Sequence, residues 1–213
     1  MHANTLARRH LFGLAATGLL AATLPGLARA ETAGPTTPIQ ALDTALLAAM
    51  KAGRTTSFQQ RYAMLEGPID TAFDLDAVLQ TSVGPRWASL SASEQNDLRG
   101  AFRRYTVANY VANFDSYNGQ TFRLDASPRS LPNGDQVVTT RLVAADGSPT
   151  ELGYVMRRTG AGWKAVDVLA DGAISRVAVQ RSDFRGLLSH GGGQALVASL
   201  QRKTADLSGG ALA

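Results

Sequence analysis

The sequence predicts an α+β domain: an antiparallel four-stranded curved sheet covered by helices, with an added helical part. Three observations carry this. Apolar residues recur at helical spacing over about 37–114, alternate over about 120–170, and return to helical spacing over about 174–207. The alternating segments are joined by short glycine-bearing links, which suit hairpins and therefore an antiparallel meander.

The helices come first. Thr37 offers a cap with Pro38 at the first helical position, and Ile39, Leu42, Leu46 and Met50 then fall on one face. Ser57 with Gln60 forms a capping-box pattern that opens a second helix, expected to end near Leu65 because Gly67-Pro68 follows. A short helix from Asp74 to about Ser82 should stop at Gly84-Pro85. Ser91 with Glu94 starts the clearest helix, running to about Asn113, and its Leu98, Phe102, Tyr105, Val107, Tyr110 and Phe114 cover more than one narrow stripe, so it should be buried on a broad face.

Four strands are expected at Thr121–Ala126, Gln136–Ala144, Glu151–Arg158 and Trp163–Leu169, separated by Pro132-Asn133-Gly134, Asp146-Gly147 and Gly160-Ala161-Gly162. Both faces are partly apolar: Val138 and Leu142 oppose Val137 and Val143, while Leu152, Tyr154 and Met156 oppose Val155. Such a sheet has more than one covered side or lines a cavity. After Asp171-Gly172, Ile174, Val177, Phe184, Leu187 and Leu188 suit a helix, with a strand also compatible with Val177 and Val179. His190–Gly193 reads as a loop before a final helix to about Leu207.

The first 30 residues have the order of a cleavable signal peptide: Arg8-Arg9, an apolar run from Leu11 to Leu24, then Ala28-Arg29-Ala30, with cleavage expected near Ala30. The paired arginines fit either an ordinary or a twin-arginine export signal. Residues 31–213 would then form one domain that works outside the cytoplasm. Without the leader, 18 basic residues face 17 acidic ones, so no global field draws nucleic acid, and no nucleic-acid partner is expected. The chain has no cysteine, and His190 is the sole histidine after residue 30, which leaves no metal-ligand set and weakens histidine-dependent hydrolysis. No cofactor is expected.

Several residues have both a chemical and a plain structural reading. Paired carboxylates drawn from Asp125, Asp167 and Asp171, which lie on or beside strands, would suit an enzyme, although a hydrogen bond to a turn or an arginine explains Asp167 more simply. Asp74-Leu75-Asp76 lacks the other calcium ligands and reads as a helix cap. Gly191-Gly192-Gly193 before a helix could cradle phosphate or act as a hinge. One arginine of Arg103-Arg104 and one of Arg157-Arg158 could sit at a pocket rim. Phe102, Tyr105, Tyr110, Phe114, Tyr154, Met156 and Trp163 are candidate walls of an apolar cavity, and ordinary core packing is their plainer reading.

Taken in order, several segments resemble the toluene-tolerance auxiliary family, the periplasmic phospholipid-binding proteins of the MlaC type. These are Ser82-Val83-Gly84-Pro85-Arg86-Trp87, Phe102-Arg103-Arg104-Tyr105, Gly153-Tyr154-Val155-Met156-Arg157, Gly162-Trp163-Lys164-Ala165-Val166-Asp167-Val168 and Arg181-Ser182-Asp183-Phe184. The Tyr105–Asn118 region is similar to the branch associated with hopanoid biosynthesis. The resemblance implies a roll like that of nuclear transport factor 2 and a soluble, non-catalytic carrier of phospholipid or hopanoid. It also implies transient docking to an inner-membrane MCE-domain transporter and an outer-membrane lipoprotein complex, in the service of outer-membrane lipid asymmetry. Its lipid-binding residues would be Phe102, Tyr105, Tyr110, Phe114, Val138, Leu142, Tyr154, Met156, Trp163 and Phe184. The alternative is a periplasmic enzyme on a similar roll, an isomerase or hydrolase working through cavity carboxylates.

Overall fold

The computed structural model describes residues 33–212, and the expected signal peptide lies outside them. Helix α1 (Thr36–Ala52) starts after Pro35, slightly earlier than Thr37 suggested, and buries Ile39, Leu42 and Leu46. Helix α2 (Phe58–Ala72) opens with the expected capping box of Ser57 and Gln60. It does not stop at Gly67-Pro68. Pro68 sits inside the helix, where it removes one backbone hydrogen bond. The cost is offset because continuing the helix buries Ile69 and Ala72 in line with Leu65, so tertiary packing overrides the local breaker.

Asp74 caps α3 (Leu75–Val83) by accepting from the Ala77 amide at 2.9 Å, the role its motif suggested. A 3-10 turn, Gly84–Ser89, leads to α4 (Ala92–Asn113), whose capping box pairs Ser91 with Glu94.

The sheet is open and has six strands where four were expected: β1 (Thr121–Leu124), β2 (Arg129–Ser130), β3 (Gln136–Val143), β4 (Pro149–Thr159), β5 (Gly162–Ala170) and β6 (Ile174–Ser175). Both extra strands, β2 and β6, are two residues long and too short to show alternation. The order is β1-β3-β4-β5-β6, with β2 paired to β3, and every pairing between strands is antiparallel.

A bulge interrupts the ladder of β4 and β5. Val155 pairs with Asp167 but Met156 pairs with Ala165, so Val166 is supernumerary. The inward face of β5 therefore passes from odd residues, Trp163 and Ala165, to even ones, Val168 and Ala170.

Helix α5 (Arg176–Ser208) begins directly after β6, which settles the choice between strand and helix at Val177 and Val179. The glycine stretch is a kink and not a loop: only Gly192 leaves helical geometry, with φ 63° and ψ −159°.

Two apolar cores result. The first lies between the sheet and α1, α2 and the C-terminal half of α4, and holds Ile39, Leu46, Ile69, Val107, Tyr154 and Met156. The second lies between α3, the N-terminal half of α4 and α5, and holds Leu79, Leu98, Phe102, Phe184, Leu196 and Leu200. Among the described residues, no helix is long and apolar enough to cross a membrane.

Candidate functional site

Helix α4 serves both cores, and between the places where it does so a hollow of about 460 Å³ remains. The depth of the hollow is apolar. Phe73, Leu75 and Val78 come from α3 and the residue pair before it, and Leu152, Val168 and Ala170 come from β4 and β5. Helix α4 contributes Phe102, Tyr105 and Tyr110, which follow its helical period, and Phe114 closes the helix end. The Tyr110 ring stacks on Phe114 with centroids 5.8 Å apart and packs at an angle on Phe73 at the same distance, which gives this wall a fixed shape. Burial pushes the Tyr110 phenol upward, so it stays neutral in any ordinary buffer.

The mouth is polar. Thr106, Asn109 and Asn113 lie along α4, facing Arg176, Gln180 and Asp183 along α5, with exposed Val179 between the latter. The Thr106 hydroxyl is buried in the wall without a hydrogen-bond partner among the described residues. Burial raises the Tyr105 phenol, while Arg176 lowers it and Asp183 raises it.

Five of the residues expected from the sequence line this hollow: Phe102, Tyr105, Tyr110, Phe114 and Leu142. The other five do not. Val138, Tyr154 and Met156 are fully buried in the sheet core, Trp163 packs at its margin, and Phe184 is buried edge-on against Phe102 in the helical core. They share faces with wall residues but sit further along their strands or helix, beyond the hollow. Sequence reasoning missed Phe73, Val78 and Val168 as wall residues; the amphipathic spacing of α3 was the available signal for Val78, whereas the bulge hid Val168.

The carboxylates are not arranged as an enzyme reading requires. Asp125 does not line the hollow; it accepts from Arg141 at 2.6 Å. Asp167 does line it, but its oxygens accept from the amides of Val168 and Val177 and from the Ser175 hydroxyl, which fastens the start of α5 to β5.

One arginine of each pair is also committed elsewhere. Arg103 clasps Asp70 and Glu66 of α2, and Arg157 clasps Asp135. The rim arginine is Arg176 instead.

The glycine stretch does not cradle phosphate, because Glu94 fills the place an anion would take. Its Oε1 would lie 2.8 Å from a side-chain carbon added at Gly193. The Ser91 amide and hydroxyl, with the Gly193 amide, hold this carboxyl below its usual range. Among the described residues, no three His, Cys, Asp or Glu side chains gather in a way that could hold a metal ion.

A second polar group lies beneath the hollow. Asp43 of α1 accepts from the Thr140 hydroxyl of β3 at 2.7 Å, yet among the described residues its other oxygen has no partner, and neither has the buried Tyr154 hydroxyl. Burial raises Asp43 to about 6 against the lowering effect of Thr140.

An open antiparallel sheet and flanking helices that enclose a hollow, apolar in its depth and polar at its mouth, define a pocket-bearing helix-on-sheet protein. The chain belongs to the MlaC protein family, which matches residues 40–202. A phospholipid-binding protein from Ralstonia solanacearum, solved in complex with a phospholipid, is similar in structure with a TM-score of 0.71. That similarity has 21% sequence identity and covers 83% of this chain and 99% of the other, and it establishes the shared fold. No curated protein matches the chain.

Proposed function

We propose that this protein is a periplasmic lipid carrier, exported by its first 30 residues, that shelters phospholipid tails in the hollow between its two cores. The observation that carries the reading is the hollow itself, apolar in depth and about 460 Å³ in volume, in a chain of the MlaC family. Pockets for small amphiphiles typically measure roughly 300–1,000 Å³. Sheltering ten methylenes is worth about 8 kcal/mol, enough to hold a tail out of water through a diffusive journey. The phospholipid seen with the Ralstonia solanacearum protein supports this cargo. Binding needs no chemical step, only a difference in tail exposure between a closed carrier and one docked at a membrane complex. An inner-membrane MCE-domain transporter and an outer-membrane lipoprotein complex are the proposed docking stations.

Lipid extraction and native mass spectrometry of protein purified from its own envelope test the cargo. Acyl phospholipid is expected in stoichiometric amount, and a polycyclic hopanoid would redirect the cargo assignment. Leu152→Trp, which fills the hollow from β4, should abolish loading of labelled phospholipid while leaving the cooperative thermal transition in place. Wild-type protein that is lipid-free and takes up no labelled lipid would end the carrier reading.

A further inference from the structure

Arg176 and Asp183 stand two turns apart on α5 and both line the mouth of the hollow, exposed to solvent. Among the described residues neither makes an ion pair, whereas Arg99 and Arg103 of α4 are paired with Asp76, Glu66 and Asp70. They are also not paired with each other, since seven residues of helix separate them by about 10 Å. Two opposite charges held apart at one opening are complementary to a ligand that carries both charges at a matching distance. Between them on the same helix lies Gln180, which meets the Ser82 hydroxyl and also lines the hollow. Two of the first α5 amides are already taken, Val177 by Asp167 and Ala178 by Ser175.

We infer that the mouth recognises a zwitterionic aminophospholipid headgroup, with Arg176 donating to the phosphate and Asp183 accepting from a primary ammonium. This rests on the carrier reading and adds the headgroup class to it. A phosphate ester joined to an ammonium by two carbons, with a charge-assisted hydrogen bond at each end, bridges the span between the two side chains. The guanidinium fork matches phosphate oxygens, and the ammonium hydrogens give the carboxylate donors that a trimethylated choline lacks. A glycerol headgroup leaves Asp183 facing the phosphate's negative charge with no cation between them.

The test uses lipid-stripped full-length mature protein offered equal mixtures of ethanolamine, choline and glycerol phospholipids with identical tails, with the bound fraction read by native mass spectrometry. Wild type should enrich the ethanolamine lipid over the glycerol lipid by roughly tenfold, the worth of one hydrogen bond to a charged group. Asp183→Asn should bring this ratio close to one without lowering glycerol-lipid uptake, whereas Arg176→Gln should lower uptake of every phospholipid. Equal uptake of all three by wild type, or an unchanged preference in Asp183→Asn, overturns the headgroup assignment while leaving the carrier reading intact. Failure to take up any of the three removes the carrier reading and this inference with it. Soluble phosphoethanolamine separates the two sources of this chemistry: if it binds saturably to protein that shows no headgroup preference among lipids, the mouth serves a free zwitterion and the lipid assignment falls.

Discussion

The core beneath the sheet buries a carboxylate, whereas the core between the helices buries only hydroxyls satisfied within their own helices. Asp43, Thr140 and Tyr154 are buried among Ile39, Val138 and Met156, whereas beside Val78, Leu79, Leu98, Phe102, Phe184 and Leu196 the buried polar groups are the hydroxyls of Ser82 and Thr204, each donating to a carbonyl of its own helix. A buried carboxylate with one unpartnered oxygen costs stability, and the helical cluster, whose buried hydroxyls are bonded, bears no comparable cost. The difference teaches where each region obtains its shape. The helical core is set by close packing, while the sheet core is set in part by the cross-link from α1 to β3 through Asp43 and Thr140. Helix α4 is shared by two clusters built on different rules, and the hollow occupies the seam.

Three substitutions sharpen this contrast. The largest effect is expected from Phe102→Ala, which removes a fully buried ring packed edge-on against Phe184 and should cost about 3–5 kcal/mol by urea denaturation. A loss far below that would mean the helical core is loose and the contrast false.

Asp43→Asn acts on the other core through pH. Because burial raises the folded-state value to about 6, this group's stabilising contribution is complete below its ordinary 3.8 and disappears as pH climbs through about 6. Neutral asparagine removes that slope, so the variant should be the more stable protein above neutrality by up to about 3 kcal/mol. Urea midpoints measured across the acidic and neutral range check the sign, and parallel curves for the two proteins would break the assignment.

The smallest effect belongs to Ser91→Ala, which deletes the side-chain cap of α4 and should cost about 1 kcal/mol while leaving both cores packed. Near-ultraviolet circular dichroism should then be unchanged, and a lost aromatic signal would show that the start of α4 holds the two clusters together.

Elements with a local chemical signal were legible in the sequence. Ser57 with Gln60 and Ser91 with Glu94 mark their helix starts because capping needs those side chains at that spacing. Pro68 misled because a proline's local cost is visible in a sequence, whereas the burial of Ile69 that offsets it is not. Strands β2 and β6 exist only through their partners, so two residues of sequence could not announce them.

The wall was legible along α4, where Phe102, Tyr105 and Tyr110 follow the helical period. On the sheet, alternation told which face a side chain shares but not how far along the strand the hollow extends. Tyr154 and Leu152 therefore read alike, yet one is core and the other lines the hollow. Arg176 gave no signal at all as a single arginine without a neighbouring one.

The one surplus residue in β5 acts on the pleat as a phase shift. With unbroken alternation from Trp163 and Ala165, the next side chains to point inward would be Asp167 and Leu169, placing a carboxylate in the greasy lining. Letting Val166 slip out of step presents Val168 and Ala170 there and leaves Asp167, which still borders the hollow, with both oxygens engaged in securing the beginning of α5. The character of the compartment thus depends on a miscount of one, and a relative with an uninterrupted ladder at this point would need a different amino acid in place of Asp167 to keep its interior dry.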